Sequence, residues 1–142
     1  MNANVVIRPF QPAEDTNFIL SSWLRSYRLS SQFAHRITDA IFYHYHQLIV
    51  QRILTRSKIL IACLPDDPSV IIGYLVYEQY AEQPLIQYAY VKKPFRNEGV
   101  LTSLIEAAEI DLEQPAQFSH MTEASEAIAR HFPKLTYNPY LI

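Results

Sequence analysis

The sequence predicts one α/β domain built on a mixed, mostly antiparallel sheet of about six or seven strands flanked by helices. Three observations lead there. Short apolar runs rich in β-branched and aromatic residues, at 5–9, 59–64, 70–80 and 85–91, read as strands. Apolar residues at helical spacing occupy 13–27, 38–54 and 100–112. The chain has 142 residues, 49% hydrophobic and 18% charged. That suits a single domain over residues 1–142 with a true core, and excludes a disordered chain.

The elements follow in order. Val5, Val6 and Ile7 begin a first strand that Pro9 and Pro12 end in a turn, where Asp15 or Thr16 can cap the next helix. Phe18, Ile19, Ser22, Trp23, Ser26 and Tyr27 recur three and four apart, and Ser30-Ser31 breaks the run. In the second helix Ile41, Tyr45, Leu48, Ile49, Arg52 and Ile53 share one face, which reads as the buried one. Pro65-Asp66-Asp67-Pro68 is a turn, and residues 81–84 join strands 70–80 and 85–91 as an antiparallel pair. A polar turn at 92–99 leads into the helix at 100–112. A strand at 117–121, a helix at 125–132 and a tail with room for one more strand complete the chain.

Composition excludes several functions. One cysteine, Cys63, rules out an internal disulfide framework, and its apolar surroundings read as a buried structural thiol. The N-terminus carries neither a signal-like nor a membrane-spanning segment, so the expected location is cytoplasmic. His44 and His46 project from different sides of a helix with no carboxylate to complete a set, so no metal is expected. The net charge of −2 hides two lobes. Residues 21–58 hold Arg25, Arg28, Arg36, Arg52, Arg56 and Lys58 against the single acid Asp39. Residues 101–126 hold six acids and no base. These read as solvated faces of opposite sign, or as a basic lobe for an anionic partner such as a nucleic acid.

The most informative stretch runs from Tyr88 through Val91, Lys92, Lys93, Pro94, Phe95, Arg96, Asn97, Glu98, Gly99, Val100, Leu101 and Thr102. A strand enters a polar turn with one glycine, and a helix starts at once. Free backbone N–H groups and the positive dipole end at a helix start suit a pyrophosphate. Arg96 adds a charge-assisted contact, Gly99 lets the backbone come close, and Thr102 and Ser103 offer hydroxyls.

This stretch resembles the acyl-CoA-binding motif of the GCN5-related N-acetyltransferases (GNAT), Arg/Gln-x-x-Gly-x-Gly/Ala after a strand ending in Val. Here it stands as Arg96-Asn97-Glu98-Gly99-Val100-Leu101, with Val91 five residues before the arginine. Leu101 takes the place of the last Gly or Ala, and the motif's proline is displaced by one residue, to Pro94. The element order resembles the family over nearly the whole chain, and the first helix, Ser21-Ser22-Trp23-Leu24-Arg25-Ser26-Tyr27, is similar to that of phage-borne members. The resemblance implies an acetyltransferase that uses acetyl-CoA as co-substrate and moves the acetyl group to an amine by direct attack in a ternary complex. It implies that Val91, Lys92 and Lys93 pair with the pantetheine arm, and that Arg96, Asn97, Glu98, Gly99, Val100 and Leu101 hold the pyrophosphate, with Thr102 beside them.

Such a transfer needs a deprotonated nucleophile, a polarised carbonyl and a proton for the leaving thiolate. The family polarises the carbonyl with a backbone N–H on the fourth strand, here near Tyr90 or Val91, and takes the proton from a tyrosine on its fourth helix. Phe132 stands at the matching position, without a hydroxyl. His131 beside it, or Tyr137 or Tyr140 in the tail, are the substitutes, and Glu78 and Glu82 are candidate bases. The expected catalytic group is therefore His131, Tyr137, Glu78 and Tyr90. Two alternatives stand beside this reading: a phage GNAT-like enzyme that modifies a DNA base, using the basic lobe, and a catalytically silent CoA-binding or interaction module, which Phe132 and Leu101 favour.

Overall fold

A computed structural model describes residues 4–142. It contains a six-stranded sheet in sequential order. Strands β1 (Val6–Pro9), β2 (Lys58–Cys63), β3 (Ile71–Tyr80) and β4 (Gln83–Val91) run antiparallel to their neighbours. Strands β5 (Ala116–Phe118) and β6 (Leu135–Tyr137) continue the sheet in parallel. β6 is the terminal strand for which the tail left room. Helices α1 (Pro12–Ser30) and α3 (Asp39–Arg56), joined by the single turn α2 (Gln32–His35), lie on one face. Helices α4 (Val100–Ala107) and α5 (Glu123–His131) lie in the crossovers that follow β4 and β5. Among the described residues no helix is long and apolar enough to cross a membrane.

Helix α1 begins earlier than expected, because Pro12 presets its first turn. Gln11 is the residue before it, so neither Asp15 nor Thr16 is the cap. Asp15 instead reaches back from the first turn to the Gln11 amide at 2.8 Å and receives a forked pair of hydrogen bonds from Arg8 at 2.7 and 2.8 Å. Asp15 is almost fully buried and Arg8 partly so, and the pair ties β1 to α1.

The expected 81–84 connection is tighter than its residues suggested. Ala81 and Glu82 both take left-handed φ values, 50° and 66°, and Tyr80 pairs directly with Gln83. Helix α4 stops five residues short of the expected end. Glu109 adopts φ 59°, and the amides of Glu109 and Ile110 turn back to the carbonyls of Glu106 and Ile105 at 3.0 and 3.2 Å. That left-handed stop frees Ile110 and Leu112 to enter the core from a loop.

The core has two halves. On one face Ile19, Trp23, Tyr27, Phe42, Val50 and Ile53 pack against Ile61, Tyr74, Val76 and Tyr88. On the other, Val100 and Leu104 pack with Ile72, Leu75, Ile86, Phe118 and Leu135. The face assigned to α3 holds at Ile53 and Ile49, which pack in or against the core, and needs correction elsewhere. Phe42, His46, Val50 and Ile53 are buried, whereas Ile41, Tyr45 and Leu48 are 53%, 61% and 49% exposed. The buried stripe includes a histidine that pattern reading counted as polar.

Of the two glycines, Gly73 is set by space. A Cβ there would lie 2.5 Å from the carbonyl oxygen of Tyr90, a backbone atom of the neighbouring strand. Gly73→Ala is expected to force β3 and β4 apart at this rung and to cost about 1–3 kcal/mol of stability, read by urea unfolding. A midpoint equal to that of the parent protein would show that the two strands have slack here.

Candidate functional site

Between β4 and β5 the sheet opens into a V. The two strands pair only at Leu85↔Gln117 and Ile86↔Phe118. The Ser119 amide makes the last rung, to the Ile86 carbonyl at 3.2 Å. The rest of β4, residues 88–91, has no β5 partner and lines a cleft of about 790 Å³ that extends to the starts of α4 and α5. A bulge marks the apex. Tyr77 faces Ile86 and Val76 faces Tyr88, so Gln87 is an extra residue on β4.

Gln87 is 1% exposed and its amide is fully engaged. Nε2 donates to Glu78 Oε2 and to the Leu141 carbonyl, both at 2.9 Å, while Oε1 accepts from the Ser119 hydroxyl. Ser119 Oγ also lies 2.9 Å from His120 Nδ1, and His120 Nε2 lies 2.9 Å from His46 Nε2. The network closes with Ser119 donating to Gln87, His120 Nδ1 donating to Ser119, and His46 Nε2 donating to His120. Both imidazoles are then neutral. Burial pushes His46 down to about 4, and burial together with the adjacent His46 holds His120 well below its ordinary value. Tyr27 and Phe42 stack on His46, and Trp23 meets His120 edge to face.

The far end of the cleft is the turn before α4. A short 3-10 turn, Lys93–Phe95, follows β4. Asn97 at φ 65° and Gly99 at φ 83° are both left-handed, and glycine takes that backbone without strain. Gly99 is the residue before α4 and offers no side-chain cap. The amides of Val100, Leu101 and Thr102 therefore lack protein acceptors, as the first turn of any helix does. Arg96 Nε donates to the Val91 carbonyl at 2.9 Å, fixing the guanidinium over the end of β4.

The expected coenzyme contacts Val91, Lys93, Arg96, Asn97, Gly99, Val100, Leu101 and Thr102 all line this cleft. Lys92 and Glu98 are not among its walls. The Lys92 amide donates to the Ile72 carbonyl at 2.8 Å, and its ammonium sits 5.1 Å from the centre of the Phe18 ring.

Of the expected catalytic group, Tyr90 lines the cleft. His131 ends α5 and is exposed; Tyr137 packs on Phe118 from β6; Glu78 pairs with Arg56 at 3.0 Å. None of these three lies on the cleft wall. Beside Tyr88, which opens the stretch singled out in the sequence, the structure adds Ser26 and Glu123. Ser26 of α1 meets the Tyr88 hydroxyl at 2.6 Å on the wall, and burial pushes that phenol far above its ordinary value. Glu123, anchored by its amide to Ser30 Oγ at 2.9 Å, brings a carboxylate to the cleft. Neither they nor the His46–His120 pair carry a local motif, since their partners are 62 to 93 residues away.

The six basic residues of the expected anionic-partner lobe lie on α1, α3, β2 and the turn after α2, outside the cleft walls. Arg28 pairs with Asp39 at 2.8 Å and Arg56 with Glu78; Arg25, Arg36, Arg52 and Lys58 are exposed. Among the described residues no group of three or more His, Cys, Asp and Glu could hold a metal.

No protein-family model matches this chain, and no curated protein matches it in sequence. Solved structures do match. A Pyrococcus furiosus protein described as an acetyl transferase superposes with TM-score 0.62 at 15% identity, over 94% of this chain and 81% of that one. A GCN5-related N-acetyltransferase structure from Rhodopseudomonas palustris gives 0.58 at 18% identity, over 92% and 82%. The PaiA N-acetyltransferase of Thermoplasma acidophilum, solved with coenzyme A, gives 0.52 at 17% identity, over 75% and 70%. The open V after β4, the uncapped start of α4 and these superpositions agree that this chain has the GNAT acetyltransferase fold.

Proposed function

We propose that the protein is a cytoplasmic acyl-CoA-dependent N-acyltransferase that moves an acetyl group from acetyl-CoA to an amine by direct attack. The observation that carries this reading is the continuity of the cleft. It joins an uncapped helix start, suited to a pyrophosphate, to a free strand edge that can pair with the amides of a pantetheine arm. In this reading Lys93 and Arg96 add positive charge at the phosphates, and an amide of residues 88–91 polarises the thioester carbonyl. Lys92 and Glu98 act as neighbours of the turn rather than as walls.

The ends of the cleft divide the chemistry. With phosphates at α4, the thioester falls near Tyr88, beside Ser26, Thr122 and Glu123. Tyr90 and the Ser26–Tyr88 hydroxyl pair are the nearest proton-bearing groups, and Glu123 is a carboxylate able to attract an acceptor as ammonium. His131, Tyr137 and Glu78 would have to act from outside the cleft walls.

A second reading has its own observation. Phe132 follows the last residue of α5 as a partly buried apolar side chain, and three of the four expected catalytic residues lie away from the cleft. A module that binds coenzyme A without turnover fits that arrangement. One pair of measurements separates the two. Titration calorimetry with coenzyme A should give binding in the micromolar range, and acetyl-CoA with an amine panel should release free thiol. Heat without thiol release would favour the silent module; no heat at all would remove both readings.

A further inference from the structure

A second, smaller cavity of about 40 Å³ sits at the apex of the V, walled by Leu75, Ile86, Ile105, Phe118 and Leu135. It shares Tyr88, Ala89, Leu101, Thr122, Ala124 and Ile128 with the large cleft. Its polar neighbours are already engaged. Gln87 and His120 belong to the closed network described above. The Ser125 hydroxyl accepts from the Thr122 amide at 2.7 Å and donates to the His120 carbonyl at 3.1 Å, and Thr122 Oγ1 accepts from the Ser125 amide at 3.1 Å. The Tyr88 hydroxyl is paired with Ser26.

Water entering such a space finds few partners, whereas an aliphatic group loses nothing there and leaves water behind. The volume holds on the order of three methylene-sized groups. Its position also matters. A ligand with its phosphates at α4 and its arm along residues 91 to 88 points its far end at the apex.

We propose that this apical cavity is an acyl pocket with room beyond acetyl, so that thioesters with a short aliphatic chain of three or four carbons bind more tightly than acetyl-CoA, which remains a donor. The inference rests on the coenzyme A reading above and deepens it by naming the donor class. Leu75, Ile105 and Leu135 set the chain length. Leu101, at the shared wall, gives the chain an apolar entrance.

Calorimetry with coenzyme A and its acetyl, butyryl and octanoyl thioesters tests this without knowledge of the acceptor. Affinity is expected to rise about fourfold per added methylene, giving butyryl-CoA about tenfold over acetyl-CoA after ordering costs, and to fall again at octanoyl. Ile105→Phe is expected to abolish the butyryl advantage while coenzyme A itself binds as before, since Ile105 is not a wall of the large cleft. Should that variant fail to fold, Ile105→Ala is expected to move the optimum to a longer chain. Coenzyme A and all three thioesters binding alike would overturn the acyl pocket and leave the coenzyme reading intact. No binding by any of them would overturn that reading and this inference together.

Discussion

Between pH 7.5 and pH 4 the protein is expected to lose on the order of 3 kcal/mol of folding stability through His46 alone. The folded protein holds this imidazole at about 4 because it is buried, while the unfolded chain protonates it near its ordinary 6.5. Between those values the unfolded state binds a proton that the folded state refuses, so falling pH favours unfolding. The contribution is complete above 6.5, declines from there, and is gone below about 4. His120, lowered by burial and by its neighbour, acts in the same direction.

Asp15 behaves separately. Burial alone would raise its carboxyl, but the Arg8 hydrogen bonds and the Gln11 amide outweigh that and hold it below 3.8. Its contribution is therefore lost only in stronger acid. Urea unfolding at half-unit pH steps reads both windows, and His46→Phe should make the upper one shallower by the share of His46, leaving that of His120, while keeping the stacked ring. Equal midpoints at pH 7.5 and pH 5 would mean that the histidine pair is solvated in solution.

Gly99→Val should cost coenzyme A at least a hundredfold in affinity while the near-UV spectrum stays that of the folded protein. The backbone at Gly99 has φ 83°, which a β-branched residue resists, so the chain must move to accept the side chain. That movement displaces the amides of Val100, Leu101 and Thr102 together. Two or three hydrogen bonds to a charged phosphate are then lost, each worth about 1.5–3 kcal/mol. Gly99 is only half-buried, and the near-UV spectrum reads whether the core packing of Val100 beside it survives the movement. Calorimetry on the variant gives the answer, and parent-like affinity would place the phosphates elsewhere.

Much of the fold was legible because it rests on local signals. β-branched runs gave the strands, Pro65-Asp66-Asp67-Pro68 marked the turn after β2, and a lone glycine after a strand marked the turn before α4. What escaped reading depends on groups distant in sequence. The face of α3 was assigned to Ile41, Tyr45 and Leu48 by hydrophobicity. Its real anchor is His46, buried because His120 waits 74 residues later. The early end of α4 needed Glu109 to take a left-handed conformation, which a glutamate does not advertise. The end of the cleft at the start of α4 was readable for the same reason as the strands, since one continuous stretch builds it. The opposite end was readable only at Tyr88, because Ser26 and Glu123 reach it from two other elements.

The V in the sheet carries one further consequence. A protein strand that ends its pairing early normally exposes peptide groups only to solvent, but here the vacated lane lies inside a walled trough. A guest with amide groups of its own can complete the ladder there, becoming for the length of its stay a short strand made of something other than amino acids. Grip and alignment would then come from the same bonds, so a molecule laid down out of step would lose both at once.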